Sequence, residues 1–146
     1  MDRKEFIKTC GFACLGGGAL STLLQSCAGA NYFAQTALVD NHIVIKKVEF
    51  IKIDRDKTVQ RNFVLVKSDK FNFPICVYRT EDESYSALLM ECTHKGCELR
   101  PQGDYLICPC HGSEFNNKGV VLNPPAEQNL HTFKIKTDNE NLYIQL

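Results

Sequence analysis

The chain has no tryptophan and no net charge, because 17 Lys and Arg residues balance 17 Asp and Glu residues. It shows neither the basic stripe of a nucleic-acid-binding surface nor an acidic tail. We therefore expect no nucleic-acid partner. The one extended apolar stretch, residues 10–24, contains three consecutive glycines and is too short and too weakly apolar for a typical bilayer span. At 146 residues the chain suits one domain with its own core.

Four of the eight cysteines and two of the four histidines are concentrated in two short motifs. The first is C-T-H-K-G-C, starting at Cys92, and the second is C-P-C-H-G-S-E-F, starting at Cys108. Thiolate and imidazole ligands suit either a tetrahedral zinc ion or an iron–sulfur cluster. Zinc fingers usually pair Cys with Cys and His with His, whereas each half here supplies one Cys, one His and an additional Cys. This arrangement favours two irons with different ligands, and zinc remains the alternative.

These motifs closely resemble the signature of the Rieske family, C-x-H-x-G-C followed by C-x-x-H-G-x-x-[FY]. In that family two cysteines bind one iron of a [2Fe-2S] cluster and two histidines bind the other. The resemblance implies one such cluster per chain, held by Cys92 and Cys108 on one iron and by His94 and His111 on the second. It also implies a disulfide between Cys97 and Cys110, which match the bridged cysteines of one branch of the family.

Four further positions acquire expected roles from the resemblance. Ser113 matches a serine that donates a hydrogen bond to a bridging sulfide. Phe115 stands where quinol-oxidising members have a tyrosine that donates to a ligand sulfur, and losing a donor worth about 1 kcal/mol would lower the potential by tens of millivolts. Pro124 and Pro125 match a loop that covers the cluster from a third side.

The first residues predict export and membrane attachment. Residues 2–8 resemble a twin-arginine signal with Lys4 in place of the second arginine, and residues 24–27 resemble a lipobox that ends at Cys27. We expect a signal peptide over residues 1–26, a lipid on Cys27 and a linker over residues 27–41. An uncleaved signal anchor is the alternative. The location would be the periplasmic side of a bacterial membrane, where a disulfide is stable.

The remaining chain predicts β-structure. From Ile43 onward, short alternating or apolar runs are separated by polar turns, and no helical period persists. The apolar phase changes between Phe50 and Ile51, which predicts a β-bulge. We expect an all-β, Rieske-like antiparallel sandwich or barrel over residues 42–146, with a cluster-binding lobe inserted at about residues 91–126. Residues 132–137 and 142–146 should close it as a hairpin.

Two functional classes agree with these features. The first is a membrane-tethered electron carrier that exchanges single electrons with a cytochrome, the large subunit of an oxidoreductase, or quinol. The second is the iron–sulfur subunit of a quinol–cytochrome c reductase-type or molybdenum oxidase complex. In neither class does the chain need to convert a substrate by itself. Lys95 stands where quinol-oxidising Rieske subunits usually have leucine, and its charge favours an acidic protein partner over an apolar quinol pocket.

Overall fold

The computed structural model describes residues 31–146, so the predicted signal segment and Cys27 lie outside the described residues. Within residues 31–146 the chain forms fourteen strands and one short 3-10 turn. Among these residues, no helix has the length and apolar character needed to cross a bilayer. The strands are β1 Thr36–Val39, β2 His42–Lys46, β3 Ile51–Asp54, β4 Lys57–Gln60, β5 Phe63–Val66, β6 Ile75–Arg79, β7 Tyr85–Leu89, β8 Arg100–Gln102, β9 Tyr105–Ile107, β10 Glu114–Asn116, β11 Val121–Asn123, β12 Thr132–Phe133, β13 Ile135–Thr137 and β14 Asn141–Gln145.

The strands form three four-stranded sheets and one separate ribbon. The first sheet has the order β1-β2-β14-β13, the middle sheet β12-β7-β6-β5, and the lobe sheet β11-β10-β9-β8, while β3 pairs only with β4. Every one of these strand pairs is antiparallel. The predicted all-β antiparallel fold is therefore confirmed.

The middle sheet is buried on both faces, which explains its continuous apolar runs. Successive side chains of a strand point to opposite faces. In β6, Ile75 and Val77 belong to one hydrophobic core, whereas Cys76 and Tyr78 belong to the other, and all four are 0% exposed. The middle sheet therefore joins the scaffold to the lobe.

The two cores lie on either side of this sheet. The first core combines side chains of the first and middle sheets: Ile43, Ile45, Phe50, Val64, Val66, Ile75, Val77, Ala87, Leu89, Phe133, Leu142 and Ile144. The second combines the middle sheet with the lobe: Leu65, Cys76, Tyr78, Leu88, Met90, Cys92, Leu99, Leu106, Cys108, Phe115, Ala126 and Leu130. Two cysteines of the metal motifs thus lie in the core that fixes the lobe to the scaffold.

Two local predictions differ from the structure. The predicted bulge at Phe50 is a 3-10 turn over Lys47–Phe50, which shifts the apolar phase between strands as a bulge would. The predicted linker is wrong for Thr36–Val39, which form β1 and pair with β2. Between these strands, Asp40 and Asn41 both have positive φ, 45° and 62°, as a tight hairpin turn requires.

The C-terminal hairpin is confirmed for β13 and β14, in which Ile135 pairs with Ile144. The residues just before it behave differently. Thr132 and Phe133 form β12 and pair with Leu88 and Ala87 of β7. The predicted hairpin strand is therefore divided between two sheets.

Gly119 offers a test of how tightly the lobe packs on the middle sheet. Its φ is +81°, and a Cβ there would lie 3.0 Å from the Leu88 Cδ2 atom. Gly103 also has a positive φ, +60°, but has nothing within 4 Å of its Cβ position. Both Gly→Ala substitutions strain the backbone by ~1–2 kcal/mol, and Gly119→Ala adds overpacking of ~1–3 kcal/mol.

We therefore expect Gly119→Ala to lower the free energy of unfolding clearly more than Gly103→Ala. Denaturant titration of both variants against the parent protein measures the difference. Equal losses for the two variants would contradict the close packing of Gly119 on Leu88.

Candidate metal centre

The first metal motif forms a closed loop directly after β7. The Cys92 backbone N–H donates to the Cys97 carbonyl at 2.8 Å, and the Gly96 N–H donates to the Cys92 carbonyl at 2.8 Å. Gly96 has φ +71°, a left-handed conformation that glycine adopts without a Cβ penalty. The motif glycine is therefore required by the turn that closes the loop.

The second motif repeats this geometry between β9 and β10. The Cys108 N–H donates to the Ser113 carbonyl at 2.8 Å, and the Gly112 N–H donates to the Cys108 carbonyl at 3.0 Å. Gly112 has φ +80°. The two loops are therefore closed in the same way, with a cysteine at the start of each.

A disulfide joins the two loops, as predicted. The Sγ atoms of Cys97 and Cys110 are 2.02 Å apart, and their Cα atoms are 6.5 Å apart. The Sγ atom of Cys108 lies within 4.8 Å of both. The bonded sulfurs are not thiolates and do not ligate a metal as thiolates do. The bridge is therefore structural, and Cys108 remains as a free thiol beside it.

Two buried thiols face each other at the base of the loops. Cys92 and Cys108 are each 2% exposed and both belong to the second core. Burial is the main cause that raises the pKa of the Cys92 thiol above its ordinary value. A pair of thiolates at this place requires a positive group between or beside them. A bound metal centre would supply that charge.

The two motif histidines lie side by side. The ring centroids of His94 and His111 are 4.9 Å apart with an interplanar angle of 84°. His111 is exposed and His94 is half-buried. The His94 Nδ1 atom is buried and has no hydrogen-bond partner among residues 31–146. An unpaired buried nitrogen is costly, so this atom suits a metal ligand.

A third loop, which contains the predicted cover residues, is tied to the second. The Pro124–Pro125 peptide bond is cis. The buried Ser113 Oγ atom accepts a hydrogen bond from the Ala126 N–H at 3.0 Å, so its own hydroxyl proton is left to donate elsewhere. Pro124 is exposed and Pro125 is half-buried. The structure thus brings this loop against the second cluster loop.

Sequence reasoning missed two side chains that fix this arrangement. The Thr93 hydroxyl donates to the Gln128 carbonyl at 2.6 Å and ties the first loop to the segment after the prolines. The Asn123 amide donates to the Gly112 carbonyl at 3.2 Å and ties the proline loop to the second loop. Thr93 stands inside the first motif at a position the signature leaves free. Neither bond has a sequence signal, because its partner is a backbone carbonyl that any residue supplies.

Two other predicted residues differ in their surroundings. Phe115 is 0% exposed in the second core, opposite Leu106 of β9, so it packs as a core residue whatever its effect on a cluster. Lys95 is exposed on the first loop, directly after His94. The site therefore has a buried sulfur side and an accessible imidazole side with a cationic neighbour.

The donor set of two thiols and two imidazoles fits a [2Fe-2S] cluster with different ligands on its two irons. The model of the Rieske [2Fe-2S] domain matches residues 41–134 of this chain. The chain belongs to the Rieske [2Fe-2S] domain family. Its cofactor is accordingly a [2Fe-2S] cluster and its chemistry is electron transfer, so the zinc alternative is rejected.

Curated relatives are iron–sulfur subunits of cytochrome b6-f complexes. The subunit from Synechococcus elongatus is 28% identical over 148 residues, which cover 92% of this chain and 78% of that subunit. The subunit from Prochlorococcus marinus (strain MIT 9303) is 36% identical over 55 residues. That alignment covers 36% of this chain and 31% of the subunit, so this chain matches about a third of the length of that relative.

A solved structure gives the same fold. The plasma membrane Rieske protein PetC3 from the cyanobacterium Synechocystis PCC 6803 superposes with a TM-score of 0.53 at 28% identity. The superposition covers 58% of this chain and 87% of that protein. The expected Rieske-like fold is therefore confirmed.

The disulfide generates a prediction that separates lobe from scaffold. Replacing Cys97 and Cys110 together by serine removes the covalent link between the loops but leaves both hydrophobic cores intact. We expect faster cluster loss and a lower reduction potential, with little change in the melting of the β-scaffold. Visible absorption over time, redox titration and far-UV circular dichroism measure the three quantities.

Ile144→Val is the matched control for this prediction. Ile144 lies in the first core and is 0% exposed, so the variant should cost about 0.5–1.5 kcal/mol of scaffold stability without accelerating cluster loss. An unchanged cluster lifetime in the double serine variant would show that the bridge has no such role.

Proposed function

We propose that this protein is a membrane-tethered Rieske protein that carries single electrons in an exported redox chain. In this proposal Cys92 and Cys108 bind one iron, and His94 and His111 bind the other. The main supporting observation is the pair of adjacent imidazoles, of which one has a buried, unpaired Nδ1 atom, on the same two loops as two buried thiols. A [2Fe-2S] cluster bound there supplies a one-electron couple.

The protein side chains determine where electrons are exchanged. The thiol side of the site lies in the second core, whereas His111 is exposed at the opposite side. Electron transfer falls steeply with distance, so a partner that contacts the imidazole side approaches the cluster most closely. The exchange surface is therefore the face that carries His94, His111 and Lys95.

Two residues adjust the potential in this proposal. The Ser113 hydroxyl accepts from Ala126 and can direct its own proton to a cluster sulfur, which favours the reduced form. Phe115 fills a core position and offers no such donor. The site therefore keeps one of the two hydroxyl donors found in quinol-oxidising relatives, and its potential should be lower than theirs by tens of millivolts for a donor worth about 1 kcal/mol.

Membrane attachment is supported by the sequence and by the relatives. The lipobox-like segment ends at Cys27, and the superposed solved protein is described as a plasma membrane protein. A lipid on Cys27 or an uncleaved signal anchor would both place the domain on the periplasmic side of a bacterial membrane. We favour the lipid, because Leu24, Ser26 and Cys27 stand where a lipobox has its leucine, its small residue and its cysteine.

The partner in this proposal is a protein with an acidic docking surface. The ammonium group of Lys95 is exposed next to a proposed ligand, and moving it into an apolar quinol pocket without a counter-charge costs several kcal/mol even when its stem extends outward. An acidic partner would instead gain a charge pair that weakens as salt rises. A cytochrome or the large subunit of an oxidoreductase could supply such a surface.

Membership of a quinol-oxidising complex is the second candidate. It is favoured by the names of the relatives, which are subunits of cytochrome b6-f complexes. In that case quinol is a direct electron donor, and the charge of Lys95 must be turned away from the quinol pocket. The two candidates differ in whether docking depends on salt.

Substitution of Lys95 distinguishes the candidates. We expect Lys95→Glu to slow electron transfer with the physiological partner by about threefold to tenfold, because it replaces an attraction by a repulsion. We expect Lys95→Leu to remove most of the salt dependence. Stopped-flow reduction and oxidation at two ionic strengths measure both effects.

Lys136→Glu serves as the control, since Lys136 is exposed in β13 of the first sheet, away from the cluster loops. It changes the net charge equally but should leave the rate nearly unchanged. Fast, salt-independent reduction of the parent protein by quinol through a cytochrome b partner would favour the second candidate instead.

A further inference from the structure

The ribbon of β3 and β4 is an exposed element of the scaffold. All eight of its residues are exposed, and the ribbon pairs with no other strand among residues 31–146. Ile53 is 78% exposed and Ile51 is 44% exposed, and the preceding Val48 is 58% exposed. Two-stranded ribbons are marginal in water on their own, and adjacent exposed aliphatic side chains indicate a contact surface.

The two faces of the ribbon differ in chemistry. In an antiparallel pair, directly opposite residues share a face. Ile51 pairs with Gln60 and Ile53 pairs with Thr58, so the ribbon side chains of one face carry no charge. Ile51 and Gln60 also line a cavity with charged scaffold residues, whereas Ile53 and Thr58 lie beyond that cavity. The opposite face carries Lys52, Val59, Asp54 and Lys57. The ribbon is therefore amphipathic.

The base of the ribbon is held by contacts with Tyr32, which lies near the N-terminal end of the described residues. The Arg61 guanidinium lies 3.8 Å from the centroid of the Tyr32 ring and donates to the Ile51 carbonyl at 2.6 Å. The Tyr32 hydroxyl donates to the Glu49 carboxylate at 2.8 Å. The Leu65 N–H donates to the Tyr32 carbonyl at 2.8 Å. Tyr32 is thus fixed beside the ribbon.

This attachment leaves a short span between a lipid on Cys27 and the ribbon. Only five peptide units separate Cys27 from Tyr32, and a fully extended chain advances at most ~3.6 Å per residue, or ~18 Å in total. A lipid on Cys27 would keep Tyr32, and with it the base of the ribbon, within that distance of the bilayer. An uncleaved anchor that ends near Leu24 would restrict Tyr32 in a similar way.

We propose that the β3–β4 ribbon is a membrane-contact element whose uncharged face enters the interfacial region of an anionic bilayer. The inference rests on the membrane tether of the proposed function. Five basic side chains between residues 46 and 57 outnumber three acidic ones, so the region also attracts anionic headgroups. The basic residues are Lys46, Lys47, Lys52, Arg55 and Lys57.

In this arrangement the tether and the ribbon hold the domain at two points. A single lipid contact would let the domain rotate about its linker, whereas a second contact through Ile51 and Ile53 limits that rotation. The cluster is then presented at a restricted height and orientation above the membrane. Its partner must offer its docking site at the same height.

The absence of tryptophan makes a direct test available. Ile53→Trp places a single fluorophore on the uncharged face at the most exposed of the aliphatic positions. The holoprotein, purified with its natural anchor, is incorporated into vesicles of phosphatidylcholine and phosphatidylglycerol with or without brominated acyl chains. We expect bromolipid to quench this variant several-fold more than Leu122→Trp, whose residue is 56% exposed on the lobe strand β11.

Charge reversal tests the headgroup contact while the fluorophore stays at residue 53. Lys52→Glu with Lys57→Glu in the Ile53→Trp background should reduce the quenching on anionic vesicles and leave it nearly unchanged on neutral ones. The control pair is Lys134→Glu with Lys136→Glu, at and just before β13 of the first sheet. It should have little effect on the quenching. Equal effects of the two pairs would overturn the role given to the basic side chains.

The outcomes separate this inference from the tether on which it rests. If the protein floats with vesicles but Ile53→Trp and Leu122→Trp are quenched equally, the ribbon contact is wrong and the tether stands. If the protein does not float, both are wrong. If Ile53→Trp is shielded from iodide on vesicles but bromolipid does not quench it, the ribbon is covered by a second copy or by the protein itself, and the membrane contact is overturned.

Discussion

The bridge between Cys97 and Cys110 is the constraint on which the metal centre depends. Each cluster loop is short and is closed at its base by backbone hydrogen bonds and a left-handed glycine. The bridge fixes the separation of the loops, so that the imidazoles of His94 and His111 meet across them. The Ser113–Ala126 and Thr93–Gln128 hydrogen bonds then hold the proline loop against this pair of loops.

The middle sheet transmits the rigidity of the scaffold to this centre. Its strands are buried on both faces, and the second core places Cys92 and Cys108 beside Met90, Leu106 and Phe115. A one-electron carrier benefits from a site that moves little between its oxidised and reduced forms, because reorganisation slows electron transfer. The sulfur side is accordingly built into the core, while His111 remains exposed at the surface.

The sequence predicted the disulfide and the fold class correctly, but it predicted several local elements of the scaffold incorrectly. The fold class follows from the alternating apolar runs and from the family resemblance. The pairing of Cys97 with Cys110 follows from that resemblance alone. The 3-10 turn at Phe50 was mistaken for a bulge because both shift the apolar phase in the same way. The strand at Thr36–Val39 was missed because these residues were assigned to the linker, although its partner β2 follows directly after the Asp40–Asn41 turn. The anchoring of Tyr32 on Leu65 was missed because its partner lies more than thirty residues away.

The central claim is that two histidines and two cysteines hold one [2Fe-2S] cluster, and pulsed EPR of the reduced protein tests it most directly. Protein labelled with 15N only in histidine is compared with unlabelled protein. The account predicts nitrogen couplings from two directly bound, inequivalent imidazoles, which change with the isotope and disappear one at a time in the His94 and His111 variants. A reduced cluster without these couplings, or a colourless and EPR-silent protein, would contradict it.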